Sequence, residues 1–413
     1  VGSNIKTLNT MMNVIISENL QDSEFIEKYA EGFEYLKEAV KDFTPERFER
    51  ETGVKKELIT EAARMYAKAG SAAICYTMGI TQFSDGTSNV FSLSNLAILT
   101  GNLGKKGAGV NPLRGQNNVQ GSCDMGALPN VIPAGAVNSA YAQEQARKVW
   151  HFELNPVPGF KLTYAPDKMD SGELKVLYVY GENPVMSDPW TEHFVHATHH
   201  LDCFIVQDLF FTESAQKADV VLPAAGWGEK DGTFINTSRR VQRTRKASEP
   251  VGGVEPDWKV VCNIAKAMGL EGFDFLSAEE VWDELRKLMP KFFGGISYYR
   301  LEKLGGISWP CPDEDHPGTP DLYTDHKSML PDGKFRLAPV LYADDKDKRA
   351  SMEAEFKAKM HIPDGYPVGS GAMSEVPDEV YPCLFTTGRK VYHYHTGTMT
   401  RECPPLEYGA GIE

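Results

Sequence analysis

The sequence predicts a multi-domain α/β protein with mostly parallel sheet, and three observations carry that prediction. The chain has 413 residues, more than one hydrophobic core usually serves. Short apolar runs rich in β-branched residues alternate with helix-period stretches between about Lys175 and Leu270, as βαβ units require. Glycine-rich polar loops follow several of those runs, where ligands sit in open parallel sheets.

Taken in order, apolar residues from Leu8 to Ala69 recur at helical spacing, and Thr44-Pro45-Glu46 has the hydroxyl and first-turn proline of a helix start. Ala72 to Met78 predicts a buried strand ending at Gly79. Ser88 to Leu99 predicts a helix closed by Gly101 and Gly104. The stretch NPLRGQNNVQGSCDMG, Asn111 to Gly126, collects an arginine, five side-chain amides and three glycines and reads as nearly helix-proof. Glycines let backbone N–H groups approach a ligand, amides offer donors and acceptors together, and arginine presents a planar fork for a carboxylate or phosphate.

Residues from about Ala134 to Asp170 lack a clear period and read as a long excursion. KVLYVYGENP then predicts strand and turn, HFVHATHHL a helix, CFIVQD a strand, ADVVLPAAGWGEKDGTF a strand and loop, and DWKVVCNIAKAMGL a helix. From Gly305 to Pro377 the chain is rich in Pro, Asp and Lys and reads as surface connection. YPCLFTTGR predicts a new strand, opening a further domain.

Composition excludes several classes. A formal charge of -14 argues against nucleic-acid binding, which needs a broad basic face. The basic run SRRVQRTRK, Ser238 to Lys246, reads either as an exposed strand or loop or as an anion contact. No apolar run is long enough to cross a bilayer. The seven cysteines form no CxxC pair, which suits a reducing compartment and argues against a disulfide framework or zinc knuckle. His193, His196, His199 and His200 share helical spacing that suits a metal, yet no Asp, Glu or Cys joins them in a motif, so they read as an exposed helix face. His393 and His395 alternate as on one side of a strand, near Arg389. No GxGxxG opens a helix after a strand, which disfavours a nicotinamide dehydrogenase.

MGITQFSDGT, LTGNLGKKGAGVNPLRGQNNVQGSCDMGALP, GENP, VQDLFFTESAQKADVVLPAAGWGEKDGTF and TGRKVYHYHTGTMTR together resemble the catalytic alpha subunit of molybdopterin-dependent formate dehydrogenases, from about Asn9 to the end. RGQNNVQGSCDMG is the most specific of these. The resemblance implies two related dinucleotide-binding α/β domains, residues 1–114 and 115–375, and the start of a β-barrel-like cap over 376–413. It implies a bis-molybdopterin guanine dinucleotide cofactor with Mo or W, and a [4Fe-4S] cluster on a preceding segment. The metal's cysteine or selenocysteine ligand would likewise precede Val1, so none of the metal ligands is expected in this chain.

By matching positions, the resemblance makes Arg114 the anchor for formate and assigns cofactor contacts to Met78, Gly79, Gln82 and Gln116. Glu182, Asn183, Ser187, Gln207 and Asp208 would meet the nucleotide ends, with Asn236 in the same pocket. Arg389, His393, Tyr394 and His395 would close over the cofactors. Ser238 departs from the pattern, since relatives often carry an acid there. The implied partners are formate or carbon dioxide and an electron-transfer subunit of flavin, iron-sulfur or hydrogenase type, in the cytoplasm, with neither nucleic acid nor a membrane span. A nitrate reductase or a cofactor-free scaffold are the competing readings.

Overall fold

The computed structural model describes residues 2–343, 346–372, 379–383, 391–393 and 395–410. The chain packs as two units, the first formed by Val1–Leu113 and Asp321–Thr386, the second by Arg114–Pro320 and Thr387–Glu413. Asp321–Thr386 thus groups with the first unit, whereas the sequence expectation placed residues 115–375 in one domain.

In the first unit the helical period of the opening sequence becomes helices Asn4–Ser17, Ser23–Tyr29, Phe33–Val40, Pro45–Thr52 and Lys56–Lys68. Thr44 caps as its sequence predicts, its hydroxyl accepting the Arg47 N–H at 3.3 Å. Met12, Ile15 and Leu36 are fully buried with Leu96 and Leu99 of helix Gly86–Leu99. Strand Ala73–Tyr76 pairs in parallel with Gly109–Pro112. It is not the buried strand expected. Ile74 and Tyr76 lean on the core, while Ala73 and Cys75 are exposed on the other face.

The stretch read as surface connection completes this core instead. Phe335 and Leu337 are buried in it, and strand Phe335–Arg336 pairs in parallel with Ala30–Glu31. Val340–Ala343 and Gly369–Ala372 form a third parallel pair, linked through helix Arg349–Met360. Asn95, fully buried, donates to the Ala338 carbonyl at 2.5 Å and accepts the Ala338 N–H at 2.9 Å. One side chain thereby satisfies both polar groups of an unpaired residue. Gly371 is closely covered: a Cβ there would meet the Ile5 side-chain tip at 2.1 Å and the Asp85 carboxylate at 2.4 Å.

The second unit holds a parallel sheet in the order Val176–Tyr180, Cys203–Asp208, Val220–Pro223. Helices Ala165–Asp170 and Thr191–Thr198 pack beside it through Ala165, Met169, Phe194 and Ala197. An antiparallel sheet, Gly232–Ile235 with Arg240–Thr244 and then Ile307–Ser308, covers a second core with Trp282, Phe293 and Ile296. The basic run lies on this sheet, its cations answered within the unit. Arg243 sits 3.7 Å from the Tyr298 ring centre and 3.2 Å from Glu302, Arg245 also pairs with Glu302, and Lys246 pairs with Glu249. That supports the exposed-strand reading of the run over an anion site.

Two stretches differ from expectation. The excursion from Ala134 contains helix Ala140–Val149, capped by Ser139, whose buried face is only Ala142, Gln145 and Ala146. Within the supposedly helix-proof segment, Val119–Asp124 forms a short helix with Gly121 buried against the Gly232–Ile235 strand. The described residues of the final segment form a 3-10 turn, Thr400–Glu402, and a helix opened by two prolines, Pro404–Ala410.

Candidate functional site

The described residues among those predicted divide between the units: Met78, Gly79 and Gln82 in the first, the rest in the second. Met78 and Gly79 open a one-turn helix, Met78–Thr81, directly after strand Ala73–Tyr76, and Gln82 caps it. All three are exposed, and a Cβ at Gly79 would meet nothing within 4 Å. The turn therefore offers open space and backbone donors at the C-terminal edge of a parallel strand, which suits a pyrophosphate or pterin edge.

In the second unit a cavity of about 220 Å³ lies at the C-terminal ends of the parallel strands. Tyr180, Gly181, Asp208 and Ala224 form its rim, with Phe210, Trp227 and Lys230 along its wall. Gly181 takes φ +65° immediately after its strand, a left-handed turn that favours glycine. Pockets for whole drug-sized ligands run to roughly 300–1,000 Å³, so this one has room for a single ring system.

Asp208 sits half-buried at the mouth. Its Oδ1 accepts the N–H of Leu209 at 2.6 Å and of Phe210 at 3.5 Å. Burial nonetheless pushes its carboxyl above the usual range, the backbone bonds acting against that rise. Gln207 is fully buried and already engaged, donating to Asp257 at 2.9 Å and accepting from Tyr178. Asp257 in turn pairs with Lys230, whose ammonium burial pulls below its ordinary range. Lys230, Asp257 and Thr212 line the cavity although the sequence reading did not select them.

The GENP turn divides its labour. Glu182 is exposed, and Ser187 half-buried. Asn183 is buried, with its amide spent inside the protein: Oδ1 accepts the Ser214 N–H at 3.1 Å and the Ser214 hydroxyl at 2.7 Å, while Nδ2 donates to Glu213 at 2.8 Å. Asn183 and Gln207 therefore position the cavity walls, leaving Asp208 and Glu182 as the outward-facing polar groups.

Arg114 lies outside this cavity, exposed at the start of the amide-rich segment. Its N–H donates to the Thr237 hydroxyl at 2.9 Å, and its guanidinium reaches Gln120 at 3.4 Å. Gln120 donates to Asp124 at 2.8 Å, and Asp124 accepts the Trp309 indole N–H at 2.9 Å. Burial raises the Asp124 carboxyl, with Gln120, Trp309, Arg114 and Arg239 opposing that shift. The short helix Val119–Asp124 creates this relay by placing Gln120 and Asp124 four residues apart on one face. That spacing was readable only once the segment is known to be helical. Gln116 is half-buried beside Arg114 in the same loop.

Asn236 is a turn-former: its Oδ1 accepts from Ser238 N–H, Ser238 hydroxyl and Arg240 N–H at 2.8–3.1 Å. Ser238, the departure from the family pattern, is thus used locally. His393 bonds Thr400 at 2.9 Å and lies 3.3 Å from Glu407, while His395 takes φ +52°, so they do not alternate along a strand. Arg389 and Tyr394 lie outside the described residues, as does most of the strand expected over Tyr381 to Arg389.

Parallel sheets with glycine turns and one polar cavity at their carboxyl ends define an α/β protein of the open-sheet class. The Molybdopterin oxidoreductase family model matches residues 2–267, and the chain belongs to that family. Over 98% of its length it is 46% identical to the F420-dependent formate dehydrogenase subunit alpha of Methanocaldococcus jannaschii, covering 55% of that protein. It is 40% identical to formate dehydrogenase H of Escherichia coli, covering 98% of this chain and 53% of that one. The chain thus spans about half the length of these relatives. The acetylene hydratase from Pelobacter acetylenicus shares the fold, with a TM-score of 0.61 at 18% identity over 98% of this chain and 52% of that one.

Proposed function

We propose that this chain is the major part of a formate dehydrogenase catalytic subunit, oxidising formate to carbon dioxide or running the reverse. The observation that carries the reading is Arg114: an exposed guanidinium fixed at its backbone by Thr237 and at its tip by the Gln120–Asp124–Trp309 relay. A planar fork held this way binds a small carboxylate through two parallel hydrogen bonds and sets the direction of its C–H. Lysine would supply the charge without the orientation.

The chain's residues fit the family's cofactor in its guanine dinucleotide form. Asp208 offers a carboxylate to the donor edge of guanine, Lys230 lies along the same cavity, and the turns at Gly79 and Gly181 leave room for pyrophosphate oxygens. When bound, the molybdenum or tungsten bis-pterin group supplies the two-electron redox chemistry. The protein's share is to hold formate, position it and shape the nucleotide pockets. An iron-sulfur cluster on a preceding segment and an electron-transfer subunit would take the electrons onward. Seven free cysteines, at Cys75, Cys123, Cys203, Cys262, Cys311, Cys383 and Cys403, support a reducing cytoplasmic setting. No helix among the described residues is long and apolar enough to cross a membrane.

The test is Arg114→Ala beside Arg114→Lys in the full-length enzyme, assayed by formate-dependent dye reduction with metal content measured in parallel. A charge-assisted hydrogen bond contributes about 1.5–3 kcal/mol, so kcat/KM for formate should fall at least tenfold in both variants while the metal stays. Unchanged turnover would reject the assignment; parallel loss of metal would make Arg114 a structural residue.

A further inference from the structure

The four histidines that the cofactor does not explain acquire, in three dimensions, the acid that no local motif supplied. His196 lies on helix Thr191–Thr198, and the chain stays helical past its end, His199 and His200 donating back to the carbonyls of His196 and Ala197 at 3.2 and 3.0 Å. The imidazoles of His196 and His200 therefore stand one turn apart, with ring centres 5.4 Å apart and planes nearly perpendicular. The opposite side of the helix, through Phe194 and Ala197, is buried against Ala165 and Met169. That packing brings the last residue of helix Ala165–Asp170 to the histidines.

We infer that Asp170, His196 and His200 form a binding site for one divalent transition-metal ion of the zinc class. One ligand atom from each lies within 4.8 Å of the others. Zinc takes nitrogen at about 2.0–2.1 Å and oxygen at about 2.0–2.2 Å, so tetrahedral ligands sit roughly 3.4 Å apart. All three side chains are exposed, so rotation of their ends closes that difference without backbone movement. Two imidazoles and a carboxylate suit zinc, nickel or copper rather than magnesium or calcium. Three protein ligands leave one position for water.

A fourth histidine provides what a chance cluster lacks. His193 Nε2 bonds the second Asp170 oxygen at 2.8 Å, and its ring rests on Trp190 with centres 4.4 Å apart. A packed imidazole thus orients the carboxylate, as outer partners of metal ligands do. Without an ion, His200 Nδ1 occupies Asp170 Oδ1 at 3.0 Å. The metal would replace that bond and tie together the two helices flanking the nucleotide-end sheet.

The experiment uses the purified full-length enzyme, stripped of loosely held ions with a mild chelator and titrated with zinc or cobalt(II) alone. Calorimetry gives affinity, and zinc analysis by difference gives stoichiometry. Expected are one extra zinc per chain, tetrahedral visible bands with cobalt, and a higher melting temperature on loading. His196→Ala with His200→Ala should abolish that equivalent; Asp170→Asn and His193→Ala should each weaken it roughly tenfold. His199→Ala, outside the cluster on the same turn, should leave it intact. Circular dichroism of each variant separates lost ligation from lost fold. No zinc bound by the wild type, or equal binding by the folded double variant, overturns the site.

Discussion

Replacing Asn183 by alanine should destabilise the second unit by about 3 kcal/mol. The magnitude follows from its three bonds. Two go to Ser214, which is itself fully buried, and neutral bonds of this kind contribute about 1 kcal/mol each. The third goes to the exposed carboxylate of Glu213, where water substitutes in part, so it falls below the charged range of about 1.5–3 kcal/mol, at about 1 kcal/mol. In a unit of this size each kcal/mol shifts the melting temperature by roughly 2–4 °C, so calorimetry should show a drop of roughly 6–12 °C. The Asn183 bond is also the largest cause holding Glu213 below the usual carboxylate range. A depressed folded pKa stabilises above the unfolded value and is lost as pH falls through the folded one, so the variant should lose part of its acid-side slope. Ser214→Ala combined with Asn183→Ala should be non-additive by about 1 kcal/mol, because the hydroxyl bond is lost only once. A melting point within a degree of wild type, or strict additivity, would refute the account of Asn183 as the pin of this turn.

Asp208→Asn should weaken retention of guanine nucleotide, measured after acid release, while leaving the cofactor-free chain at least as stable at neutral pH. The sign follows from burial: a carboxyl raised in the folded state holds its proton to higher pH than when unfolded, so its ionised form costs stability above the folded pKa. Nucleotide content unchanged in that variant would remove Asp208 from the site. Asn95→Ala should cost about 2–4 kcal/mol in urea unfolding, because it strands both the N–H and the carbonyl of buried Ala338. Gln120→Ala should raise KM for formate several-fold with metal content unchanged, since it removes the contact at the tip of Arg114. An unaltered KM would show that the relay does not position the guanidinium.

The parallel sheet at Val176–Tyr180, Cys203–Asp208 and Val220–Pro223 was legible because its strands are apolar runs divided by helix-period sequence. The stretch 305–377 was misread because Phe335–Arg336 and Val340–Ala343 are two and four residues long, too short for a period to emerge among prolines and charges. Helix Ala140–Val149 hid for a related reason: alanines at the core face give little hydrophobic contrast. Around the cavity, sequence marked loops that follow strands but not the direction each side chain takes. Asn183 and Gln207, selected as contacts, spend their amides on bonds within the protein, while Lys230 and Asp257 line the cavity from 23 and 50 residues beyond Gln207. Asp170 meets His193 and His200 across 23 and 30 residues, a proximity that helix packing creates and no linear spacing announces.

The split of the first unit between the two ends of the sequence sets an order of events during synthesis. Its opening helices leave the ribosome with Met12, Ile15 and Leu36 uncovered, and Phe335 and Leu337, which complete their core, emerge only after the whole 114–320 insertion. At about 5–20 residues per second that interval is roughly ten to forty-five seconds. During it the inserted unit has its full stretch of chain to close on itself, while its host waits with sticky surface exposed. Nascent chains of this protein should therefore depend on a holding chaperone at the helices from Asn4 to Val40, and release of that chaperone should coincide with arrival of the Phe335 segment.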